Sequence, residues 1–297
     1  MKFTLKDYQT EAVREVLQNM RDAKFFWHER NRKAAFSLAA TTGSGKTVMA
    51  AAVFESLLFG NDEFEFEPDP GAVVIWFSDD PSLNEQSNWR LQEASDKLTV
   101  SDLVTVGSSF NREKLEAGKI YFLNTQKLSK KSLLVRGHDP DDPDLETADG
   151  QKIMPDMRAF TIWDTIRNTI EDPDLTLYLV LDEAHRGMKD GGITTATGRP
   201  TIVKQLINGS GGTPGIPIVW GISATVQRFN DAMAGMQGRT TMPHVVVDPT
   251  LVQASGLLKD TITLDVPDEV GDFETVLLRR GTDKLREITE AWAAYAE

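Results

Sequence analysis

The chain has 297 residues, 40% of them hydrophobic and 26% charged, which is ordinary for a globular protein large enough to bury a core. It has no cysteine, which excludes disulfides and thiolate metal sites, and no apolar run long enough for a membrane helix or a secretory signal, so we expect a cytoplasmic protein without membrane contact. The net charge of −13 argues against nucleic-acid binding by the chain as a whole, because phosphate contacts require lysine and arginine.

The charge is unevenly distributed along the chain. Acidic residues are concentrated at 62–69 and 139–149, whereas residues 112–136 hold seven lysines or arginines against two glutamates. That basic stretch is equally typical of a local nucleic-acid surface and of a solvated face.

Short apolar runs alternate with helical patterns from a helical N-terminus onward. Strands are predicted at 34–40, 72–77, 103–106, 120–123, 176–181 and 216–222, and helices at 47–59, 81–98 and 277–297, with Ser82 as a cap. Continuous apolar strands are buried on both faces. The alternation therefore predicts an α/β fold, a three-layer sandwich with a mainly parallel central sheet. Loops are predicted at 60–71, 137–155 and 209–217, which are rich in proline, glycine or acid.

Residues 40–47 (ATTGSGKT) follow an apolar run and begin a predicted helix, as a phosphate-binding loop requires. Gly43 and Gly45 let the backbone turn tightly, so that its amides and the helix N-terminus form an anion cradle. Lys46 can reach the β- and γ-phosphates of ATP, and Thr47 can place its hydroxyl on Mg²⁺. The consensus for this loop begins with glycine, where this chain has alanine. The predicted nucleotide-binding residues are Thr42, Gly43, Ser44, Gly45, Lys46 and Thr47.

Residues 180–185 (VLDEAH) end a second apolar strand, about 135 residues beyond the phosphate loop. Asp182 is predicted to hold the hydration shell of Mg²⁺, and Glu183 to orient or deprotonate the attacking water. Together with Lys46 these are the predicted catalytic residues. His185, two residues after Glu183, is predicted to couple the ATP site to other motifs. Zinc is not expected, because the four histidines lack ligand spacing with cysteine.

With these motifs the chain resembles superfamily two helicases of the DEAD/DEAH type, and most closely the restriction (motor) subunit of type III restriction enzymes. The resemblance covers about residues 3–265, in the motif order of the family. It implies a RecA-like P-loop NTPase fold, ATP and Mg²⁺ as cofactors, and ATP-dependent translocation on DNA, most simply duplex DNA. It also implies a modification (methyltransferase) subunit as a partner.

Three further segments resemble motifs of that family. Residues 5–9 (LKDYQ) resemble the glutamine motif, which implies that Gln9 reads adenine and Tyr8 lies beside the base, although an amphipathic first helix explains the pattern equally well. Residues 77–86 and 124–128 resemble motifs that hold a nucleic-acid strand through hydroxyls, amides and helix N-termini. The nucleic-acid contacts that they imply are Ser78, Asn124, Thr125, Gln126 and Lys127.

Residues 221–225 (GISAT) resemble the Ser-Ala-Thr motif, in which Ser223 and Thr225 link the ATP state to strand binding; the pattern alone is also that of a turn after a strand. We expect a RecA-like domain at 1–265, with an acidic insertion at about 137–155. Residues 266–297 are expected to lead toward a second lobe. No second set of alternating strands and helices follows Thr225, so we expect that lobe and its arginine to be absent from this chain, and ATP turnover to be weak.

Three other interpretations stay open at this point. The chain could be a nucleotide-dependent binding module without useful hydrolysis, or the corresponding lobe of an RNA helicase. A degenerate structural lobe is the third, and the intact Lys46, Thr47, Asp182 and Glu183 argue against it.

Overall fold

The computed structural model describes residues 1–129, 132–135, 158–182, 201–233, 238–257 and 273–296. The chain divides into two compact units, residues 1–258 and 259–297. The boundary predicted at 265 lies outside the described residues, as does the predicted insertion at 137–155.

Helices and strands alternate along the first unit, as the sequence predicted. In chain order they are α1 (Asp7–Arg30), β1 (Lys33–Ala39), α2 (Lys46–Phe59), β2 (Ala72–Ser78), α3 (Pro81–Ala94), β3 (Leu103–Thr105), β4 (Lys119–Asn124), α4 (Thr125–Leu128), α5 (Ile162–Glu171), β5 (Thr176–Asp182), α6 (Ile202–Asn208), β6 (Gly209–Ser210), β7 (Thr213–Pro214), β8 (Ile218–Ser223), α7 (Val226–Met233), β9 (Arg239–Thr241), β10 (Val245–Val246) and α8 (Pro249–Ala254). The second unit contains α9 (Phe273–Ala296).

Eight strands form one sheet in the order β10-β1-β8-β5-β2-β4-β3, with β9 also paired to β1. Every pairing in this sheet is parallel. The predicted mainly parallel sheet is therefore confirmed, and the carboxyl ends of its central strands meet at one edge.

Apolar side chains fill both faces of the sheet, because alternate residues of each strand point to opposite sides. One face packs against α1, α2 and α3, where the ring of Phe54 lies edge-on to Trp76 and Trp220 at centroid distances of 5.9 and 6.0 Å. The other face packs against α5, α6 and α7 around residues such as Ile75 and Leu179. The predicted three-layer sandwich follows from this division.

Arg239 closes the amino-terminal edge of the sheet. Its guanidinium donates to four backbone carbonyls, at 2.8 Å to Ala34 and Pro217, 2.7 Å to Ile207 and 2.5 Å to Ile216. Burial lowers the pKa of Arg239 to about 10, which still leaves it charged at neutral pH. One side chain thus joins β1, β9, the end of α6 and the segment that enters β8.

Asp69 fixes the acidic loop 60–71 to the same edge of the sheet. Its buried carboxylate accepts hydrogen bonds from Lys24 Nζ at 2.7 Å, Tyr178 Oη at 2.9 Å and the Gly71 amide at 3.1 Å. Burial holds the pKa of Tyr178 well above its usual value, so the phenol remains a donor. The predicted loop is thereby anchored by a fully bonded carboxylate.

Three local predictions differ from the observed structure. The cap of α3 is Asp80 rather than Ser82, since the Asp80 carboxylate accepts from the amide and hydroxyl of Ser82. The helix also ends at Ala94 instead of Leu98, because Ser95 takes an extended conformation with φ −97° and ψ 142°. The loop predicted at 209–217 contains the two-residue strands β6 and β7, which pair antiparallel.

The second unit is described by the single helix α9, close to the predicted 277–297. Several of its apolar residues are exposed, among them Leu278, Leu285 and Trp292. Among the described residues of both units, no helix is long and apolar enough to cross a lipid bilayer.

Candidate functional site

Most of the residues predicted to carry function lie at the carboxyl edge of the sheet. Strands β1, β8, β5, β2 and β4 lie next to one another there. In an open parallel α/β sheet, ligands bind at this edge. The residues that end these strands or follow them directly are Ala40, Ser223, Asp182, Ser78 and Asn124.

The turn between β1 and α2 has the backbone that a phosphate loop needs. Gly43 and Gly45 have φ values of 87° and 82°, in the left-handed region that side chains rarely adopt. A Cβ atom at Gly45 would lie 2.4 Å from Nε2 of Gln9, so space as well as conformation requires glycine there. Helix α2 begins at Lys46, which directs its free N-terminal amides toward this turn.

Two hydroxyls of the loop are buried without a hydrogen-bond partner among the described residues, those of Thr41 and Ser44. Buried polar atoms in native proteins are nearly always bonded, and an exception calls for an explanation. A phosphate held in the cradle would supply acceptor oxygens beside this loop. The donor chemistry of the loop therefore fits a phosphorylated ligand.

Tyr8 and Gln9 begin α1 and contact the loop directly. Both donate to the carbonyl of Ser44, from Tyr8 Oη at 2.8 Å and Gln9 Nε2 at 2.9 Å. Gln9 Oε1 accepts from the amide of Lys6 at 2.9 Å. Burial raises the pKa of Tyr8, although a neighbouring hydrogen bond opposes the rise, which keeps its hydroxyl protonated. The pair is thus fixed against the loop, and its role in reading adenine remains a prediction.

Lys46, Thr47 and Asp182 line one open pocket of about 270 Å³ at the ends of β2, β5 and β8. Lys46 Nζ donates to the carbonyls of Ala40 at 3.1 Å and Thr41 at 3.3 Å. The pocket brings together residues that are 136 positions apart in the sequence (182 minus 46). The hydroxyl of Thr47 and the carboxylate of Asp182 are oxygen donors, the kind that Mg²⁺ prefers.

The rest of the predicted acidic motif is not described. Glu183 and His185 lie outside the described residues, so their predicted roles in catalysis and coupling stay predictions.

Helix α3 forms a wall of the pocket that the sequence analysis missed. Leu83, Gln86, Ser87 and Arg90 line it, and Ser87 Oγ donates to Asp182 Oδ2 at 3.3 Å. The spacing of three, four and seven residues from Leu83 places them on one helix face, a signal visible in the sequence. Nothing in the sequence, however, indicated that this face meets β5.

Ser223 and Thr225 lie close to the phosphate loop. The carbonyl of Ser223 accepts from the amide of Ala40 at 3.0 Å, and its hydroxyl donates to the carbonyl of Thr225 at 2.6 Å. Beneath them, Phe229 of α7 packs on Gly221, where a Cβ would lie 2.1 Å from Cδ2 of the ring. The last residue of β8 is therefore bonded directly to the start of the phosphate loop.

The predicted nucleic-acid residues divide into buried and accessible groups. Ser78 is 1% exposed and donates to Asn84 Oδ1 at 2.7 Å, whereas Asn124 is 6% exposed and accepts from the amide of Lys127. Thr125 Oγ1 donates to Asp79 Oδ1 at 2.6 Å.

Accessibility separates the other three residues from Ser78 and Asn124. Gln126 is exposed, whereas Thr125 and Lys127 are half-buried. The geometry thus favours these three over Ser78 and Asn124 for direct contact with a ligand.

Three of the seven basic residues in the stretch 112–136 pair with carboxylates. Lys114 Nζ lies 2.5 Å from Asp172, Lys119 Nζ lies 3.0 Å from Asp102, and Arg112 pairs with Glu116. These three cations are therefore neutralised within the protein, as a solvated face would be. The remaining basic residues of the stretch are Lys127, Lys130, Lys131 and Arg136, of which the last three lie outside the described residues.

A protein-family model described as "Type III restriction enzyme, res subunit" matches residues 2–228 of the chain. The chain has no match among curated proteins.

Among solved structures, the chain is similar to an S. cerevisiae Dbp5 variant bound to RNA and ADP BeF3. The identity is 14% and the TM-score 0.37, over 80% of this chain and 50% of that one. It is also similar to a nuclease-deletion mutant of the type ISP restriction-modification enzyme LlaGI in complex with a DNA substrate mimic. There the identity is 16% and the TM-score 0.33, over 75% of this chain and 18% of that one. The chain thus spans half of the first relative and less than a fifth of the second.

Proposed function

Because the chain belongs to the family of type III restriction enzyme res subunits, we propose that its helicase-type, RecA-like lobe drives a DNA-dependent ATPase and translocase. The observation that carries the proposal is the pocket in which Lys46, Thr47 and Asp182 meet at the carboxyl edge of the sheet. A lysine, a hydroxyl and a carboxylate beside a glycine-rich loop are the parts that nucleotide hydrolysis requires.

In this proposal the loop amides and the N-terminus of α2 bind the β-phosphate, and Lys46 binds the β- and γ-phosphates as a point charge. Mg²⁺, held through Thr47 and Asp182, would neutralise charge that develops on the phosphate oxygens. Tyr8 and Gln9 would contact the adenine side, since both already contact the loop at Ser44.

Glu183 is proposed to orient or deprotonate the water that attacks the γ-phosphate. His185, Ser223 and Thr225 are proposed to transmit the nucleotide state toward the bound strand. The bond from Ala40 to the carbonyl of Ser223 supports this assignment, because it ties the end of β8 to the start of the phosphate loop.

Duplex DNA is the proposed track, with Thr125, Gln126 and Lys127 nearest to it, and Ser78 and Asn124 shaping that edge from below. Translocation requires closure of two lobes on a nucleotide, so we propose that a second RecA-like lobe and its arginine act together with this one. The 297 residues by themselves should therefore turn over ATP slowly. A methyltransferase subunit is proposed as a further partner.

Steady-state ATP hydrolysis tests the proposal most directly. It should be measured for the wild-type chain, Lys46→Ala and Glu183→Gln, each alone, with duplex DNA and with RNA. We expect slow hydrolysis that duplex DNA stimulates and that both substitutions abolish. Stimulation by RNA alone would instead indicate an RNA helicase lobe.

The alternative to an ATPase is a nucleotide-dependent binding module without useful hydrolysis. It would bind Mg·ATP through Lys46 and show no turnover that Glu183→Gln could remove. A chain that binds no nucleotide would reject the proposal as a whole.

A further inference from the structure

Helix α3 contributes two polar side chains to the pocket, and neither has a role in the function proposed above. Ser87 is 6% exposed and donates to Oδ2 of Asp182 at 3.3 Å. Arg90, three residues further along the same helix face, lines the pocket together with Lys46 and Thr47. Both side chains therefore face the space in which the phosphates are proposed to bind.

We infer that α3 is a functional wall of the nucleotide site, in which Arg90 binds the phosphate chain and Ser87 is a positioning residue for Asp182. The inference rests on the proposed function, because it takes the ligand of the pocket to be a nucleotide. It adds a second cation to the site from within the same lobe.

The surroundings of Arg90 support a role in anion binding. Among the described residues no carboxylate forms an ion pair with Arg90, and its side chain is exposed on the pocket wall. A planar guanidinium can donate to two phosphate oxygens at once. An arginine beside a phosphate site can therefore orient the phosphate as well as attract it.

The bond from Ser87 acts on the carboxylate and not on the nucleotide. A hydrogen bond to one oxygen restricts rotation of the Asp182 carboxylate about its bond to Cβ. Mg²⁺ demands nearly ideal ligand geometry, and side chains that orient metal ligands raise metal affinity. Loss of the Ser87 hydroxyl should therefore weaken nucleotide binding only when Mg²⁺ is present.

Equilibrium binding of the ATP analogue AMP-PNP, measured by calorimetry with Mg²⁺ and again in EDTA, separates the two roles. Arg90→Gln should weaken binding about tenfold in both conditions, which is the effect of losing one hydrogen-bonded charge. Arg90→Lys should recover part of that loss. Ser87→Ala should bind like wild type in EDTA but need several-fold more Mg²⁺ for half-maximal binding, and Ser87→Thr should restore the wild-type requirement.

Arg32→Gln is the matched control, because Arg32 is an exposed arginine next to the start of β1, at the opposite edge of the sheet. It changes the net charge equally and should leave AMP-PNP affinity unchanged. Thermal unfolding checks that each variant is folded.

The inference fails if Arg90→Gln binds AMP-PNP as tightly as Arg32→Gln does while Lys46→Ala has lost binding. It also fails if Ser87→Ala weakens binding equally in Mg²⁺ and EDTA, since the serine would then only support the fold. If the wild-type chain binds no AMP-PNP, the proposed function fails as well, which distinguishes the two failures.

Discussion

The two edges of the parallel sheet differ in whether loop hydroxyls are left buried without a hydrogen bond. At the amino edge, Arg239 donates to four carbonyls and the carboxylate of Asp69 accepts from three donors. At the carboxyl edge, the hydroxyls of Thr41 and Ser44 are buried without a partner among the described residues. Bonded groups stabilise the fold, whereas unbonded ones cost stability until a ligand arrives. The unbonded hydroxyls therefore favour the carboxyl edge as the place where a ligand binds.

The largest effect on stability is expected from Arg239→Met at the amino edge. The substitution leaves four backbone carbonyls without their charged donor, which should lower the free energy of unfolding by about 3 kcal/mol. Urea denaturation measures this loss of stability. Arg239→Lys should recover only part of it, because an ammonium group cannot reproduce the planar set of N–H donors of a guanidinium. The nucleotide affinity of the folded variant should not change. If affinity fell together with stability, the amino edge would be shown to influence binding at the carboxyl edge.

Lys46→Ala should produce the opposite result at the carboxyl edge. Loss of the lysine should weaken Mg·ATP binding about a hundredfold, since it removes charge-assisted bonds to two phosphates. Lys46 donates to carbonyls of the loop at 3.1 and 3.3 Å, near or beyond the long end of the usual range. The free energy of unfolding should therefore change by less than about 1 kcal/mol. Global destabilisation would contradict the assignment of this edge to binding.

Asp69→Asn tests the second bonded group of the amino edge on a smaller scale. The amide keeps the shape of the side chain but removes the charge that Lys24 and Tyr178 contact, so we expect a loss of about 2 kcal/mol in urea denaturation. Asp62→Asn is the control, because Asp62 lies exposed in the same acidic loop. Equal effects of the two substitutions would mean that loop charge, not the buried contacts, sets the stability.

The smallest effect concerns His244, between the two edges. Its Nδ1 lies 2.9 Å from Oγ of Ser37 in the middle of β1, and burial lowers its pKa below the usual value of 6.5. Below pH 6.5 the unfolded chain therefore takes up a proton before the folded one does, so the free energy of unfolding should fall as the pH drops. Above that pH the group should contribute no pH dependence. His244→Gln should flatten this part of the profile; an unchanged profile would assign it to other groups.

Long apolar strands and contiguous motifs could be predicted from the sequence. The runs at 72–77 and 176–181 became β2 and β5 to within one residue, because burial on both faces leaves an unbroken apolar pattern. The phosphate loop was predictable because its residues are consecutive.

Short edge strands and long-range contacts could not be predicted in the same way. Three-residue β9 carries no pattern, and its Arg239 gives no sign in the sequence of the four carbonyls it meets. Ser87 meets Asp182 across 95 positions, which only the strand order reveals. Helix α5 was missed although Thr161 and Asp164 form a capping box that the sequence displays.

The contact of Phe229 with Gly221 has a mechanical consequence. Because a ring occupies the place of the missing Cβ, α7 cannot slide along β8 without losing that contact. A displacement of the phosphate loop that reaches the end of β8 would therefore be passed on to α7, instead of being absorbed by loose packing between strand and helix.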